Sequence, residues 1–340
     1  MDAAFVTGGT GFVGANLVRL LLEKGLRVRA LARKGAELHN LKGLPVELVT
    51  GDLLDRASLR EGCRGVRYVF HVAADYRIWV PDPQAMLAAN VDGTRNVIEE
   101  GHAAGAERIV HCSSVAAIKP PRPGSLTPSD EGSEYRDPSE IVGVYKKSKW
   151  LSERAALELA AKGAPVVVVN PSTPIGPWDV KPTPTGAIVV NFLNRRMPSY
   201  VDTGLNIVHV RDAALGHWLA ALKGRVGERY ILGGQNLTLK QSLDLLAQIT
   251  GLSAPRFRTP YAVAWAFAAV DTARCRVTGA LPIAPLDAVR MSRYHMFYDA
   301  SKAVRELGLP QTPAREAFKD AVEWFEDNGY VPSARRKESA

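Results

Sequence analysis

A tyrosine and a lysine stand four residues apart in the segment "GVYKKSKW" at residues 143–150. Four residues are just over one helical turn, so Tyr145 and Lys149 would share one face, with Ser148 between them in sequence. A free phenol has a pKa of about 10, too high for easy proton exchange at neutral pH, and a neighbouring ammonium favours the phenolate. The spacing therefore allows an acid–base pair. The alternative is a solvated, charged helix surface.

A strand-like run ends in two serines just before this helix. "ERIVHCSSV" predicts a strand that presents Ser113 and Ser114 at its carboxyl end. Open α/β sheets bind ligands beyond the carboxyl ends of their strands. A serine hydroxyl there could hydrogen-bond a reacting oxygen and stabilise its developing charge.

The amino-terminal segment "TGGTGFVG" carries Gly8, Gly11 and Gly14 between a predicted strand and a predicted helix. Glycines permit the tight turn and let the backbone approach a pyrophosphate, which the unpaired N–H groups of a helix N-terminus bind. The context favours a dinucleotide site over a purely structural glycine turn.

The end of the second predicted strand selects between coenzymes. NAD-binding versions usually place an acid there for the ribose hydroxyls, whereas this chain reads Ala32, Arg33 and Lys34. Two cations without a carboxylate favour the 2′-phosphate of NADP. Ordinary exposed charge is the alternative, and NAD remains possible.

Two further strand ends would line the coenzyme. "GDL" follows the third strand, where Asp52 could reach the adenine amino group and Leu53 could pack beside the ring. "HVAAD" ends the fourth strand, where the small Ala73 and Ala74 would allow close approach of the coenzyme.

Strand-like and helical segments alternate through the first half, which predicts a doubly wound α/β fold with a parallel sheet covered on both faces. We expect a Rossmann-type domain over 1–170, with returning segments near 205–234. A smaller α/β substrate lobe is expected over 171–332 and a flexible tail over 333–340.

The composition excludes several classes of protein. The 340 residues are 46% apolar and carry a net charge of +8, but the basic residues are scattered, so nucleic-acid binding is not expected. Three distant cysteines argue against disulfides and structural zinc, and no metal site is expected. The chain opens without a signal peptide and lacks an 18-residue apolar run, which predicts a cytoplasmic protein.

The combination of TGxxGxxG, the strand-end serine, Tyr145 four before Lys149 and a late "YDASKAVRELG" resembles the extended short-chain dehydrogenase/reductases. The resemblance covers about residues 3–330. It implies catalysis by Ser114, chosen over Ser113 by the usual pattern, with Tyr145 and Lys149. It also implies the following coenzyme-binding residues, in chain order: Gly8, Thr10, Gly11, Phe12, Val13, Gly14, Arg33, Lys34, Asp52, Leu53, Ala73, Ala74, Asn90, Ser113, Tyr145, Lys149, Pro171 and Thr173.

Within that branch the chain is most similar to hopanoid-associated sugar epimerases, through "HVAADYRIWVPDP", "NPSTPIGPWDVKPTPTG", "PSYVDTGLNIVHVRDAA" and "RYILGGQNLTL". Nucleotide-sugar epimerases usually have an acid where Ala32 stands, an Asn where Thr173 stands and an Arg where Leu205 stands. These departures favour an NADPH-dependent carbonyl reductase related to dihydroflavonol reductases. A nucleotide-sugar epimerase or dehydratase is the alternative.

The resemblance implies a sugar-derived or lipid-linked carbonyl substrate, such as a hopanoid side chain, and a homodimer. "PYAVAWAFAAVDTARCRVTGALPIAPL" has no charge between Tyr261 and Val270, which suits an interfacial helix with peripheral membrane contact, an apolar lid, or a plain buried helix. His71 and His209 are expected to satisfy backbone groups rather than to do chemistry. The candidates for the substrate pocket are Asp75, Tyr76, Ser114, Lys181, Thr183 and His295.

Overall fold

The computed structural model describes residues 2–77, 80, 82–278, 282 and 284–331. The tail expected at 333–340 lies outside these residues. The strands of the described residues are β1 (Ala3–Thr7), β2 (Arg27–Ala32), β3 (Val46–Thr50), β4 (Tyr68–His71), β5 (Arg108–Cys112), β6 (Val166–Pro171), β7 (Thr173–Ile175), β8 (Ser199–Tyr200), β9 (Gly204–His209), β10 (Arg229–Leu232), β11 (Gln235–Thr238), β12 (Phe257–Arg258) and β13 (His295–Met296).

Twelve α-helices connect or follow the described strands. They are α1 (Phe12–Glu23), α2 (Arg56–Cys63), α3 (Pro83–Leu87), α4 (Gly93–Ala103), α5 (Val144–Ala161), α6 (Gly186–Leu193), α7 (Val210–Lys223), α8 (Leu239–Thr250), α9 (Tyr261–Thr278), α10 (Leu286–Met291), α11 (Ser301–Leu307) and α12 (Ala314–Asp327). A π-helical turn at Ala88–Asp92 joins α3 to α4.

A seven-stranded sheet with the order β10-β6-β5-β4-β1-β2-β3 forms the centre of the molecule. All of its strand pairs are parallel. Helices cover both faces, because each buried strand needs an apolar cover on both sides. One apolar core lies on the face of α1, α7 and α11, and the other lies on the face of α2, α4 and α5. The predicted Rossmann-type architecture is confirmed.

The strand order reverses between β1 and β4, so the loops after these two strands diverge and leave a crevice at the carboxyl edge. The glycine segment follows β1, and the serine pair follows β5 at the same edge. The sheet therefore brings together the groups that the sequence assigns to coenzyme and catalysis.

A second, smaller sheet has the order β11-β9-β13, and β7 also pairs with β9. Its own core includes side chains from α6, α8 and α12. The segment 205–234 was expected to return to the first domain, and it does so only in part. Helix α7 and strand β10 join the large sheet, whereas β9 is the central strand of the small one. Asn206 explains this placement, since its Nδ2 donates to the carbonyls of Gly234 and Tyr298 in the lobe.

Candidate active site

The glycine segment after β1 forms a cradle that only glycine can build. Gly8 has φ +77°, and a Cβ on it would lie 2.5 Å from the nitrogen of Ala73 in the loop after β4. A Cβ on Gly14 would lie 2.1 Å from the carbonyl oxygen of Gly8. Gly11 is the N-cap of α1, so the open N–H groups of this helix point into the crevice. The cradle fits a dinucleotide pyrophosphate.

The neutral imidazole of His71 links β1, which precedes the cradle, to helix α4. His71 Nδ1 lies 2.8 Å from Thr7 Oγ1, and its Nε2 lies 3.0 Å from Thr94 Oγ1. Thr94 donates to the carbonyl of Asn90 at 2.6 Å, so we infer that its oxygen accepts the Nε2 proton of His71. Burial lowers the pKa of His71 to about 3, and Lys149 acts in the same direction. The hydrogen-bond partners of His71 are the hydroxyl groups of Thr7 and Thr94, whereas backbone partners were expected.

Asn90 carries this connection further. Its Nδ2 donates to Ser148 Oγ at 2.8 Å and to the carbonyl of Asp75 at 2.9 Å. Its Oδ1 accepts from the backbone nitrogen of Asp75 at 2.7 Å. Asn90 thus links the loop after β4 to α5 by hydrogen bonds and holds the two in place.

Ser114, Tyr145 and Lys149 converge at the carboxyl edge of the sheet. The Ser114 hydroxyl lies close enough to the Tyr145 phenol to act on its pKa and also accepts from the nitrogen of Ala116 at 3.1 Å, while the Ser113 hydroxyl is buried without a partner among the described residues. Lys149 is buried, and its Nζ donates to the carbonyl of Cys112 at 2.8 Å. The choice of Ser114 over Ser113 stays a prediction.

Burial raises the pKa of Tyr145 to about 12, and the nearby Ser114 hydroxyl opposes this shift. Burial also lowers the pKa of Lys149. At neutral pH the phenol therefore keeps its proton, as a proton donor must. That Lys149 loosens this proton stays a prediction. Of the neighbouring lysines, Lys147 is exposed, whereas Lys146 is buried, which lowers its pKa to about 8.

A second buried network of hydrogen bonds holds the backbone carbonyl of Ser114. Asn170 Nδ2 donates to the carbonyl of Ser114 at 3.0 Å and to Glu153 Oε2 at 2.5 Å. Arg229 Nη1 donates to the other oxygen of Glu153 at 2.8 Å. The sequence interpretation missed this network. The signal was present, since Glu153 follows Lys149 by four residues and so shares the face of Tyr145 and Lys149.

The residues assigned to the adenosine end lie around the carboxyl ends of β2 and β3. Ala32 is buried, and Arg33 and Lys34 are exposed directly after it. Arg33 is close enough to Asp75 to help lower the pKa of that carboxyl, although the main opposing influence is burial. Asp52 Oδ1 accepts from the nitrogen of Leu54, and a Cβ on Gly93 would contact the Leu53 side chain at 2.8 Å.

The remaining coenzyme candidates line the same edge. Thr10 lies in the glycine segment, and its carbonyl accepts from Asn40 Nδ2 at 3.0 Å. Phe12 and Val13 begin α1 and are partly buried, as is Ala74 after β4. Pro171 ends β6, and Thr173 begins β7 and is buried.

The structure does not bring all substrate candidates together. The Asp75 carboxylate makes a bidentate pair with Arg77, and Tyr76 beside it is exposed. Lys181 is exposed and pairs with Glu37 at 3.2 Å, on the loop after β2. It therefore lies toward the coenzyme end, away from Tyr145.

Two other substrate candidates are engaged within the lobe. The Thr183 hydroxyl donates to Asp179 Oδ2 at 2.8 Å, and burial raises the pKa of Asp179 to about 6. His295 lies in β13, with Nε2 3.5 Å from Asp202 Oδ1. His209 is the N-cap of α7 and accepts from the nitrogen of Arg211, which is the backbone role expected of it.

A segment of the lobe packs onto the glycine cradle. Trp178 adopts φ +74°, and the guanidinium of Arg19 in α1 lies 3.5 Å from the centre of its ring. Asn40 bridges the carbonyls of Thr10 and Trp178, at 3.0 and 3.3 Å. Asn16 donates to the carbonyl of Pro177 at 3.1 Å. The lobe therefore contacts the coenzyme loop directly.

Among the described residues there is no cluster of ligands able to hold a metal ion, and the three cysteines are free and buried. Within the same residues no helix is long and apolar enough to cross a membrane.

Known proteins give the chain its family. The pattern of the NAD dependent epimerase/dehydratase family matches residues 4–233. A putative dihydroflavonol 4-reductase from Synechocystis is 50% identical over 97% of this chain and 96% of its own length. Sterol demethylase protein B from Methylococcus capsulatus is 36% identical over 96% of this chain and 99% of its own length.

A solved structure is also similar over nearly the whole chain. A nucleoside-diphosphate-sugar epimerase from Pseudomonas aeruginosa matches with a TM-score of 0.81 and 27% identity, over 97% of this chain and 99% of that one. The glycine cradle and the serine–tyrosine–lysine cluster stand at the carboxyl edge of the sheet, where open α/β sheets bind ligands. The chain belongs to the NAD dependent epimerase/dehydratase family, the extended branch of the short-chain dehydrogenase/reductases.

Proposed function

We propose that the protein is an NADPH-dependent reductase of a carbonyl group on a sugar-derived or lipid-linked substrate, for which a hopanoid side chain is the specific candidate. The observation that carries the proposal is the convergence of Ser114, Tyr145 and the buried Lys149 at the edge of the sheet that holds the glycine cradle. The Synechocystis relative, at 50% identity, is also named a reductase.

When bound, a nicotinamide coenzyme would supply hydride to the carbonyl carbon. Tyr145, whose pKa is raised to about 12, gives its proton to the carbonyl oxygen as negative charge develops there. Ser114 donates a hydrogen bond to the same oxygen and stabilises that charge. Lys149 stabilises the phenolate that remains, because opposite charges nearby favour the ionised form.

Arg33 and Lys34 support the choice of NADPH. Both are exposed at the end of β2, where the buried Ala32 offers no carboxylate to the ribose hydroxyls. A guanidinium suits a 2′-phosphate through charge-assisted, bidentate hydrogen bonds. We further propose a homodimer, and a peripheral contact with the inner face of a membrane.

Epimerisation of a nucleotide sugar is the second candidate, since the Pseudomonas aeruginosa structure bears that name. An epimerase keeps its coenzyme through both half-reactions, whereas a reductase must release it. The two proposals therefore differ in the retention of coenzyme during purification.

Coenzyme titration tests the proposal. Purified protein is titrated with NADPH and with NADH, and energy transfer to the nicotinamide fluorescence is followed, for wild type and Arg33→Ala. Loss of one charge-assisted contact should weaken NADPH binding roughly tenfold and leave NADH binding unchanged. Arg27→Ala is the matched control, because Arg27 is an exposed cation at the opposite end of the same strand.

Tyr145→Phe completes the test. It should bind NADPH normally and lose at least about a hundredfold in turnover, because it removes the proton donor alone. A preference for NADH, or NAD that stays bound through purification, would contradict the reductase proposal and favour the epimerase.

A further inference from the structure

Helix α9 presents apolar residues to solvent. Val263, Phe267 and Val270 are 58%, 53% and 71% exposed. Ala262, Ala266 and Ala273 of the same helix are also exposed. These residues fall on one side of the helix, since they recur at intervals of three, four and seven positions. The expectation of a plain buried helix fails for this outer face.

The acidic residue of α9, Asp271, lies on its inner side, whereas Arg274 is half exposed and reaches it from the outer face. Asp271 is buried, where its Oδ1 accepts from Arg274 and its Oδ2 from the nitrogen of Ala284. Ala268 and Cys275 are buried on the same side. A surface helix of a globular protein normally shows the reverse arrangement. An outer face of this kind marks a surface that is covered in use.

The surroundings of α9 are basic. Residues 251–296 contain six arginines and two aspartates as their charged groups, so +4 of the chain's net +8 lies in this stretch. Strand β12 places the 77%-exposed Phe257 between Arg256 and Arg258. Arg293 lies over the ring of Tyr261, at 5.4 Å from its centre. Exposed apolar groups flanked by arginines and aromatics are typical of segments at a bilayer interface.

Helix α10 connects this surface to the catalytic tyrosine. It packs against α9, and a Cβ on Gly143 would lie 3.2 Å from Asp287 Oδ2 in α10. Gly143 is the N-cap of α5, two residues before Tyr145. The α9–α10 pair therefore covers the end of the catalytic helix.

We infer that the outer face of α9, together with β12, docks on an anionic lipid bilayer and turns the side of the site next to Tyr145 toward the membrane. A second copy of the chain is the less suitable occupant, since a two-fold contact would set this basic surface against itself. The inference deepens the proposed function, and only the route of a lipid-linked substrate from the bilayer rests on that function.

Vesicle sedimentation tests the docking without coenzyme or substrate. Sucrose-loaded vesicles of phosphatidylcholine are compared with equimolar phosphatidylcholine and phosphatidylglycerol. Wild type should bind the anionic vesicles more tightly, and salt should weaken this binding. Phe267→Glu/Val270→Glu should reduce binding at least about tenfold. Arg256→Ala should reduce it roughly fivefold, the effect of one basic residue near an anionic surface.

Val226→Glu is the matched control, because Val226 is an exposed valine just before β10, at the amino ends of the strands and opposite the edge that carries the site. It should bind like wild type. A tryptophan introduced as Val263→Trp should be quenched by brominated lipid and provides a second readout, since Val263 is 58% exposed on the outer face of α9.

Three outcomes would overturn the inference: no binding of wild type to either vesicle, equal loss in Val226→Glu, or a solution dimer that the double variant dissociates without vesicle binding. A protein that binds vesicles but reduces no carbonyl would refute the proposed function and leave the docking intact. Reduction of a water-soluble aldehyde without vesicle binding would do the opposite.

Discussion

Helix α1 and helix α9 treat apolar side chains in opposite ways. Leu17 and Leu21 of α1 are fully buried against the seven-stranded sheet, whereas Phe267 and Val270 of α9 are more than half exposed. Around the sheet, buried groups fix the crevice by close contact. Around α9, the fold leaves an apolar surface uncovered. The difference separates the region around the sheet, which holds the candidate active site, from α9, which we expect to contact the bilayer.

Acid should affect the sheet region most. His71, His111 and His217 are buried, and burial lowers the pKa of each, to about 3 for His71 and about 4 for His217. Because the unfolded chain takes up these protons below about pH 6.5, stability is full above that pH and falls below it. Three such groups lower the free energy of unfolding by about 4 kcal/mol for each pH unit. The raised pKa of Asp179 offsets about 1.4 kcal/mol of this loss per pH unit below pH 6.

We therefore expect the free energy of unfolding to fall by about 3 kcal/mol between pH 6 and pH 5, as measured by urea denaturation. His111→Leu should make this slope shallower, because it removes one of the three groups that take up a proton on unfolding. The substitution breaks no hydrogen bond, since neither ring nitrogen of His111 has a partner among the described residues. A flat profile in wild type would contradict the neutral, buried state of the three rings.

The glycine cradle should tolerate no added methyl group. In Gly14→Ala the new Cβ would lie 2.1 Å from the Gly8 oxygen. We expect a loss of about 2 to 3 kcal/mol in unfolding free energy and weaker NADPH binding, because the backbone must shift. Gly132→Ala is the control, because its Cβ would approach Asp130 no closer than 3.4 Å. Equal stability and affinity in the two variants would show that the cradle is adaptable.

Two buried asparagines allow the regions to be compared directly. Asn170 holds the carbonyl of Ser114, and Asn206 holds those of Gly234 and Tyr298 in the lobe. Each substitution by alanine should cost about 1 to 3 kcal/mol of stability, because buried partners are left without a hydrogen bond.

Only Asn170→Ala should also lower kcat, about tenfold at little change in KM, since Ser114 acts chiefly in the transition state. Steady-state kinetics on both variants provide the measurement. An equal fall in kcat for Asn206→Ala would mean that loss of stability alone explains the effect.

The smallest effect is expected on α9. Val270→Lys should change the unfolding free energy by less than about 0.5 kcal/mol, because the side chain is already 71% exposed. Leu21→Lys on α1 should cost several-fold more, because it buries an unpaired charge. If Val270→Lys proves as costly as Leu21→Lys, a partner covers α9 in solution.

The sequence was sufficient for the first six strands, the glycine cradle and the placement of Ser114, Tyr145 and Lys149. These features depend on short-range patterns: apolar runs of strand length, glycine spacing and the helical repeat. Strand β9 was misplaced because "LNIVHV" before a helix has the same local pattern as a strand of the large sheet. Its position depends on the long-range contacts of Asn206, which no local pattern contains.

The same limit applies to the candidate site. Glu153 and Asn170 meet only once α5 and β6 are packed, and Arg229 reaches them from β10. Lys181 and Thr183 were chosen by resemblance, and their partners, Glu37 and Asp179, were not visible in the pattern. Composition also left the environment of α9 open, since a short uncharged helix suits an interface, a lid or a buried position.

On the proposed function, the contact of Trp178 with Arg19 and Asn40 would couple coenzyme binding to substrate binding. The lobe segment around Trp178 and the glycine loop share these contacts, so whatever orders one of them lowers the cost of ordering the other. Thermodynamic linkage makes this coupling reciprocal: if bound coenzyme raises the affinity for substrate by some factor, bound substrate raises the affinity for coenzyme by the same factor. Substitution of Trp178 should therefore weaken the cooperativity between the two ligands, even where it leaves each affinity measured alone nearly unchanged.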